Sequence, residues 1–351
     1  MTIRFTGRRV DVEGRLQPQD EFVHDEVIEE VVPGSGPMSV TVQIRNINPG
    51  EWTVTARELG PSLAASSASR SSRRWAQKQA AQVTPVEVSQ RTIARFWRRW
   101  APAVGSTESA NHVHTSLLLF ARAPGIIPGI WLLLVVLGMG LTLAVQSWVI
   151  VRDDLTIGPA LPATLIAIAV GIVGAKVWYL ILYRHESGLK RWNGWCIQGF
   201  ITGATVMAAI MFTVWRVPAG IFLDVTAPGL MYGMAIGRVG CFFAGCCGGR
   251  LTASRWGVWS CDRHIGGRRV PTQLMESALA LNLGIVALLA VLSHGPASGA
   301  IFVAALAAYT LGRQGILYLR AEPRKTRLGL PVTAALAALV LLAAIIFFIA
   351  Q

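Results

Sequence analysis

The spacing of apolar and polar residues divides the chain into three stretches of different texture. Over residues 1–60 the two kinds alternate in short runs. Residues 38–59 hold two such runs, VTVQI and EWTVTA, on either side of Asn46, Ile47, Asn48, Pro49 and Gly50. A period of two, interrupted by residues suited to a turn, predicts a β-hairpin. Residues 1–60 are therefore read as a small polar β-rich domain. Residues 61–122 lose this period. The small, polar composition of 66–72 favours a flexible chain. Trp75, Arg91, Arg95, Phe96, Trp97, Arg98, Arg99 and Trp100 then mix cations with aromatics, the composition of a helix lying in a membrane surface. A solvated linker is the plainer alternative, and the stretch is read as a flexible and basic amphipathic linker.

From residue 123 onward the chain is dominated by long apolar segments: 126–150, 157–182, 195–215, 221–244, 274–293, 299–319 and 328–350. Each has about 20 residues or more, enough to cross a hydrocarbon layer of roughly 30 Å. Backbone groups in lipid must bond within their own segment, so these are expected as helices. The fold class expected is an all-α polytopic membrane protein of about seven transmembrane helices, residues 123–351, preceded by the small β-rich domain.

Composition supports this. The 351 residues are 53% hydrophobic and only 15% charged, against about 25% charged in soluble proteins. The net charge of +13 is unevenly placed: residues 1–60 carry ten acids and six arginines, and the remainder carries 26 basic and 9 acidic residues. In a membrane chain such a balance points to the bilayer's anionic head groups or to topology, not to nucleic acid. Arg184, Lys190, Arg191, Arg250, Arg255, Arg263, Arg268, Arg269, Arg320, Arg324, Lys325 and Arg327 fall on the side shared with the N-terminus. Little beyond Arg152 and Arg216 lies opposite, so the positive-inside rule puts the N-terminus in the cytoplasm and Gln351 outside. The first residues lack an apolar core, so no signal peptide is expected. The five cysteines avoid the polar N-terminal region, which argues against a secreted disulfide scaffold.

The residues that carry chemistry concentrate in 229–250, GLMYGMAIGRVGCFFAGCCGGR. Gly229, Gly233 and Gly237 recur every four residues, as do Gly240, Ala244 and Gly248, a spacing that lets another helix backbone approach closely. Helix packing accounts for most of these glycines but not for Arg238. A cation inside an apolar segment is costly and marks a functional site by default. Arg313 is the second such residue. Two intramembrane guanidiniums without an obvious acidic partner suggest an anionic ligand, most simply a lipid phosphate. The alternative is that each snorkels or pairs with Asp224 or Glu276. Cys241, Cys246, Cys247 and Cys261, near Asp262 and His264, do not match compact zinc spacings. Small buried helix residues are the plainer reading, and neither metal nor cofactor is expected. A thiol-dependent reaction through Cys241, Cys246 or Cys247 is a further alternative.

Residues 237–250, GRVGCFFAGCCGGR, resemble the signature GRxGNFxNGExxGR of the prolipoprotein diacylglyceryl transferase family. Val270-Pro271-Thr272-Gln273-Leu274-Met275-Glu276 is similar to that family's HPSQLYE, and residues 309–320 to its YxxFRxxxExxR, aligning Arg313 and Arg320. Residues 193–199 resemble its GGMSxHGG, with Gln198 in the histidine position. The resemblance runs from about residue 126 to the end and leaves residues 1–110 as an extra N-terminal part.

It implies a multi-pass enzyme of the bacterial plasma membrane that transfers diacylglyceryl from phosphatidylglycerol to a cysteine thiol. That thiol belongs to the lipobox of a prolipoprotein signal peptide. Arg238 and Arg313 would be catalytic, holding the phosphate. Gln198, Gly237, Gly240, Cys241, Gly245, Gly249, Arg250, Gln273 and Glu276 would bind substrate. The chain departs from the family where its polar residues become Gln198, Cys241, Ala244, Cys246, Val270 and Leu317. A non-catalytic lipid-binding accessory homologue is therefore the alternative function. The family also places its N-terminus and the segment between the fourth and fifth helices outside, opposite to the charge rule. A reporter at Gln351 separates the two orientations.

Overall fold

The structure is a computed structural model that describes residues 2–59 (except 11, 13, 29, 30, 37, 43, 45, 46 and 49), 86–89, 102–105, 109–115, 125–155, 159–184, 194–321 (except 263 and 297) and 328–350. Trp75 and residues 90–100, expected as a surface helix, lie outside the described residues. By internal packing the chain forms two units. One joins residues 1–127 to 245–271, and the other joins 128–244 to 272–351.

The first unit is built of strands. They are β1 (Thr2–Arg9), β2 (Glu21–Val27), β3 (Ser39–Val40), β4 (Gly50–Leu59), β5 (Val86–Ser89), β6 (Pro102–Gly105), β7 (Ser109–Thr115), β8 (Val258–Cys261) and β9 (Ile265–Arg269). A four-stranded antiparallel sheet has the order β2-β1-β4-β7, and a second sheet the order β3-β9-β8. Alternation in β1 turns Ile3 and Phe5 inward with Ile28, Trp52 and Ala56. Val40 and Ile265 from the second sheet, with Met38 and Val42 flanking β3, close that core.

Two expectations change here. The strand over 50–59 forms as its period predicted, but the VTVQI run does not become its hairpin partner. Ser39 and Val40 instead pair with Gly266 and Ile265, where the Val40 side chain reaches the shared core. The β-rich part also does not end at residue 60, because β7 pairs with β4, and residues 245–271 belong with it rather than with the membrane helices.

Buried Asp20 ties the turn before β2. It accepts hydrogen bonds from Asn48 Nδ2 (2.9 Å), the Gln17 N–H (3.0 Å) and Arg9 Nη1 (3.1 Å). The Asn48 bond, then the Gln17 N–H, then Arg9, hold its carboxyl below the ordinary carboxylate range, against the opposing effect of desolvation. A carboxyl with a lowered folded pKa stabilises above the unfolded value of about 3.9 and loses that contribution as pH falls through the folded value. Pepsin cleavage within residues 14–27 should therefore rise steeply below about pH 4, and Asp20→Asn should flatten that dependence.

Among the described residues the second unit contains seven helices: α1 (Ile130–Arg152), α2 (Ala160–Leu182), α3 (Ile197–Val214), α4 (Ala219–Ala244), α5 (Thr272–His294), α6 (Ala300–Leu317) and α7 (Gly329–Ile349). All seven are long and apolar enough to cross a membrane, and their bounds follow the apolar segments of the sequence. Large side chains such as Leu132, Leu133, Leu336 and Ile346 are exposed, as expected where lipid is the solvent. α4 is central: α1, α5 and α6 pack on it, and half of its apolar stretch is buried.

The glycine spacing in α4 seats α1. A Cβ at Gly229 would lie 2.6 Å from the Thr142 carbonyl oxygen, and one at Gly233 2.8 Å from that of Gly138. Thr142 Oγ1 bonds Gly138 O and Gly229 O across this contact, both at 2.9 Å. Gly229→Ala should destabilise the bundle by about 1–3 kcal/mol through overpacking. Gly140→Ala, where a Cβ would meet nothing within 4 Å, is the control. Thermal unfolding in detergent would separate them.

Candidate functional site

One polar cluster lies among α4, α5 and α6. Arg238 stands six residues before the end of α4, Glu276 is the fifth residue of α5, and Arg313 stands four residues before the end of α6. At 1.5 Å per residue each sits about 6–9 Å inside its helix end. Adjacent antiparallel helices bring such positions to one level.

Glu276 is the hub, with only 2% of its side chain exposed. Its Oε2 lies 2.7 Å from Arg238 Nε and its Oε1 3.8 Å from Arg313 Nε. Buried Tyr309, one helical turn before Arg313 and on the same face, accepts a hydrogen bond from Arg238 Nε (3.3 Å) and donates to Glu276 Oε2 (3.5 Å). The Ser277 hydroxyl bonds the Ala235 carbonyl oxygen at 2.8 Å, fixing α5 on α4 beside the cluster.

The expectation that both guanidiniums lack an acidic partner is thus corrected. Glu276 serves both, because the apolar run of α5 turns this one carboxylate toward α4 and α6. The neutralisation is only half complete. Among the described residues two cations share one anion, which gives the cluster a net charge of +1. Arg313 Nε is buried and makes no hydrogen bond, its distance to Glu276 being too long for one. Both arginines approach the carboxylate through Nε, and each guanidinium also carries two terminal nitrogens with two N–H donors apiece. The side chains of Arg238 and Arg313 remain 17% and 34% exposed.

Asp224, the other carboxylate considered for Arg238, has a different task. It lies 14 residues earlier in α4, about 21 Å along the axis. There it accepts the N–H groups of Gly299 (2.9 Å) and Phe302 (3.1 Å) at the start of α6. That is a helix cap, in which a carboxylate meets the otherwise unsatisfied donors of a helix N-terminus.

The remaining candidates distribute as follows. Gly237, Gly240 and Cys241 share α4 with Arg238; Gly240 and Cys241 are buried, and open space surrounds Gly237. Gln273 lies buried one turn before Glu276. Gly245, Gly249 and Arg250 belong to the strand-built unit; Gly245 adopts φ 64°, a left-handed conformation that suits glycine at the end of α4. Gln198 is exposed in the first turn of α3, where its Oε1 accepts from Cys196 Sγ at 3.2 Å, and α3 packs on α2. Gln198 thus stands on α3, whereas the arginine cluster stands on α4, α5 and α6. None of the five cysteines is in a disulfide.

Sequence reasoning missed Tyr309 as a site residue. Its signal was available: a tyrosine four residues before an intramembrane arginine lies on that arginine's face, and buried tyrosine hydroxyls seek partners. A second polar network was missed as well. Fully buried Gln146 donates to Thr226 Oγ1 (2.8 Å) and accepts from Thr164 Oγ1 (3.0 Å), linking α1, α2 and α4.

Residues 129–350 match the family model described as prolipoprotein diacylglyceryl transferase. Among similar proteins is the phosphatidylglycerol–prolipoprotein diacylglyceryl transferase of Dehalococcoides mccartyi, 30% identical over 220 residues, which cover 59% of this chain and 84% of that protein. The transferase of the same name from Frankia alni is 31% identical over 194 residues, 51% of this chain and 52% of its own length. Transferase 2 of Streptomyces coelicolor is 33% identical over 198 residues, 52% of this chain and 62% of its own length. For these last two the chain spans less than two thirds of the relative.

Proposed function

This chain belongs to the prolipoprotein diacylglyceryl transferase family, and from that premise we propose that it moves diacylglyceryl from phosphatidylglycerol to the lipobox cysteine of a prolipoprotein in a bacterial plasma membrane. The observation that carries the reading is the half-neutralised cluster, in which Arg238 and Arg313 share the single carboxylate of Glu276. A residual positive charge inside an apolar bundle favours an anion of the bilayer, and guanidinium terminal nitrogens suit two oxygens of one phosphate.

The chemistry this supports is a displacement. The cysteine sulfur forms a bond to the terminal glycerol carbon of the diacylglyceryl group, and the bond from that carbon to the phosphate oxygen breaks. Glycerol phosphate leaves. The thiolate is the nucleophile, since the thiol itself is weak. Donors aimed at the phosphate stabilise the charge that builds on the leaving oxygen. Gln198 cannot accept a proton near neutral pH. The thiol proton passes to water as the thiolate forms, and glycerol phosphate departs largely as its dianion, its second pKa being about 6, so atoms and charge balance.

The test is transfer by the purified chain supplied with phosphatidylglycerol and a peptide bearing a lipobox cysteine, with mass detection of the thioether. Formation of that product is expected. Tight retention of phosphatidylglycerol without any product would instead favour the accessory reading, which Gln198 supports by standing where the family pattern carries a titratable histidine.

A further inference from the structure

The segment between α4 and α5, residues 245–271, presents a tryptophan that packing does not explain. Trp256 is 75% exposed, the most exposed tryptophan among the described residues. It is held out by an ordered turn. The Ser254 N–H bonds Thr252 Oγ1 (3.1 Å), the Trp256 N–H bonds Ser254 Oγ (3.2 Å) and the Gly257 N–H bonds Ser254 O (2.9 Å). The Arg255 guanidinium carbon lies 5.1 Å from the centre of the Trp256 ring. The turn leads directly into β8, where Val258 and Trp259 are also partly exposed.

Charge identifies what such a turn meets. Residues 245–271 carry five arginines against one aspartate, a net +4. Asp262 is already matched by Arg269 Nη2 at 2.7 Å. Arginine beside tryptophan is the composition of the bilayer interface, where the ring sits at head-group level and the cation meets phosphate. Basic residues near an anionic surface are attracted to it. Both ends of the segment continue into helices that are long enough to cross a membrane, so it cannot travel far from a lipid surface.

We propose that the Thr252–Gly257 turn is a docking site for an anionic lipid surface, with Trp256 seated among the head groups and Arg255 on a lipid phosphate. The site is distinct from the Arg238 cluster and independent of turnover, so failure of the transferase reading leaves it standing. Its role is to hold the β8–β9 segment against a membrane rich in anionic lipid.

The experiment uses the full chain labelled with 5-fluorotryptophan in nanodiscs, and the Trp256 resonance is assigned by its loss in Trp256→Phe, with Trp256→Tyr as the second assignment variant. In phosphatidylglycerol-containing nanodiscs that resonance is expected to be broadened by spin-labelled lipid and spared by a water-soluble gadolinium chelate. Arg255→Glu, or nanodiscs of phosphatidylcholine alone, should reverse the pattern. Broadening by the aqueous reagent in every bilayer overturns the proposal. Protection from both reagents overturns it as well, because the turn would then be covered by protein.

Discussion

Arg238→Ala is expected to lower diacylglyceryl transfer by about 10²–10³-fold, the usual loss when one donor to a developing negative charge is removed. The loss should fall on kcat at least as much as on KM, since the guanidinium is asked to hold the phosphate more tightly as it leaves than before. Arg238→Lys distinguishes charge from geometry. Lysine keeps the positive charge but offers a single ammonium, which cannot hold Glu276 and Tyr309 through one edge while presenting two donors to a phosphate. Little recovery is therefore expected. Single-turnover measurements on the purified chain would read both variants, and a lysine variant with wild-type turnover would show that only net charge matters at this position.

What the sequence made legible, and what it did not, follows from the range of each interaction. The seven helices could be read because lipid imposes one rule on every residue of a segment, and segments such as 274–293 obey it along their whole length. That Gly229 and Gly233 seat another helix was legible for a similar reason, small residues at a four-residue spacing having few other uses, but that this helix is α1 was not. Arg238 and Arg313 could be singled out because each breaks the apolar rule. Their partner could not be chosen, since nothing local separates Glu276 from Asp224. Both are acids near helix ends, and only packing reveals that one caps α6 while the other meets two arginines. The pairing of β3 with β9 was hidden more deeply. It joins residues more than 220 positions apart, whereas the alternating pattern around residues 38–59 pointed to a local hairpin. Period fixes the strand, but not its partner.

Glu276→Gln should produce two effects of opposite sign. The substitution keeps size and hydrogen-bonding capacity near Tyr309 but removes the one negative charge of the cluster among the described residues, leaving its two guanidiniums at a net +2. Breaking a fully buried ion pair from one side costs about 3–5 kcal/mol. Because Arg238 and Arg313 keep some access to their surroundings, a loss of roughly 2–3 kcal/mol is the better expectation. Thermal unfolding in a zwitterionic detergent would show it. An anion that replaces the missing carboxylate should then stabilise the variant more than the wild type, by the linkage between ligand binding and folding. Phosphatidylglycerol is accordingly expected to raise the melting temperature of Glu276→Gln more than that of the unsubstituted chain, while phosphatidylcholine does neither. If the cluster were only a structural ion pair, stability would fall with no lipid-dependent recovery. The two roles thus separate without any measurement of turnover: a purely architectural carboxylate leaves a hole that lipid cannot fill, whereas a carboxylate that tempers a phosphate site leaves a stronger anion trap behind.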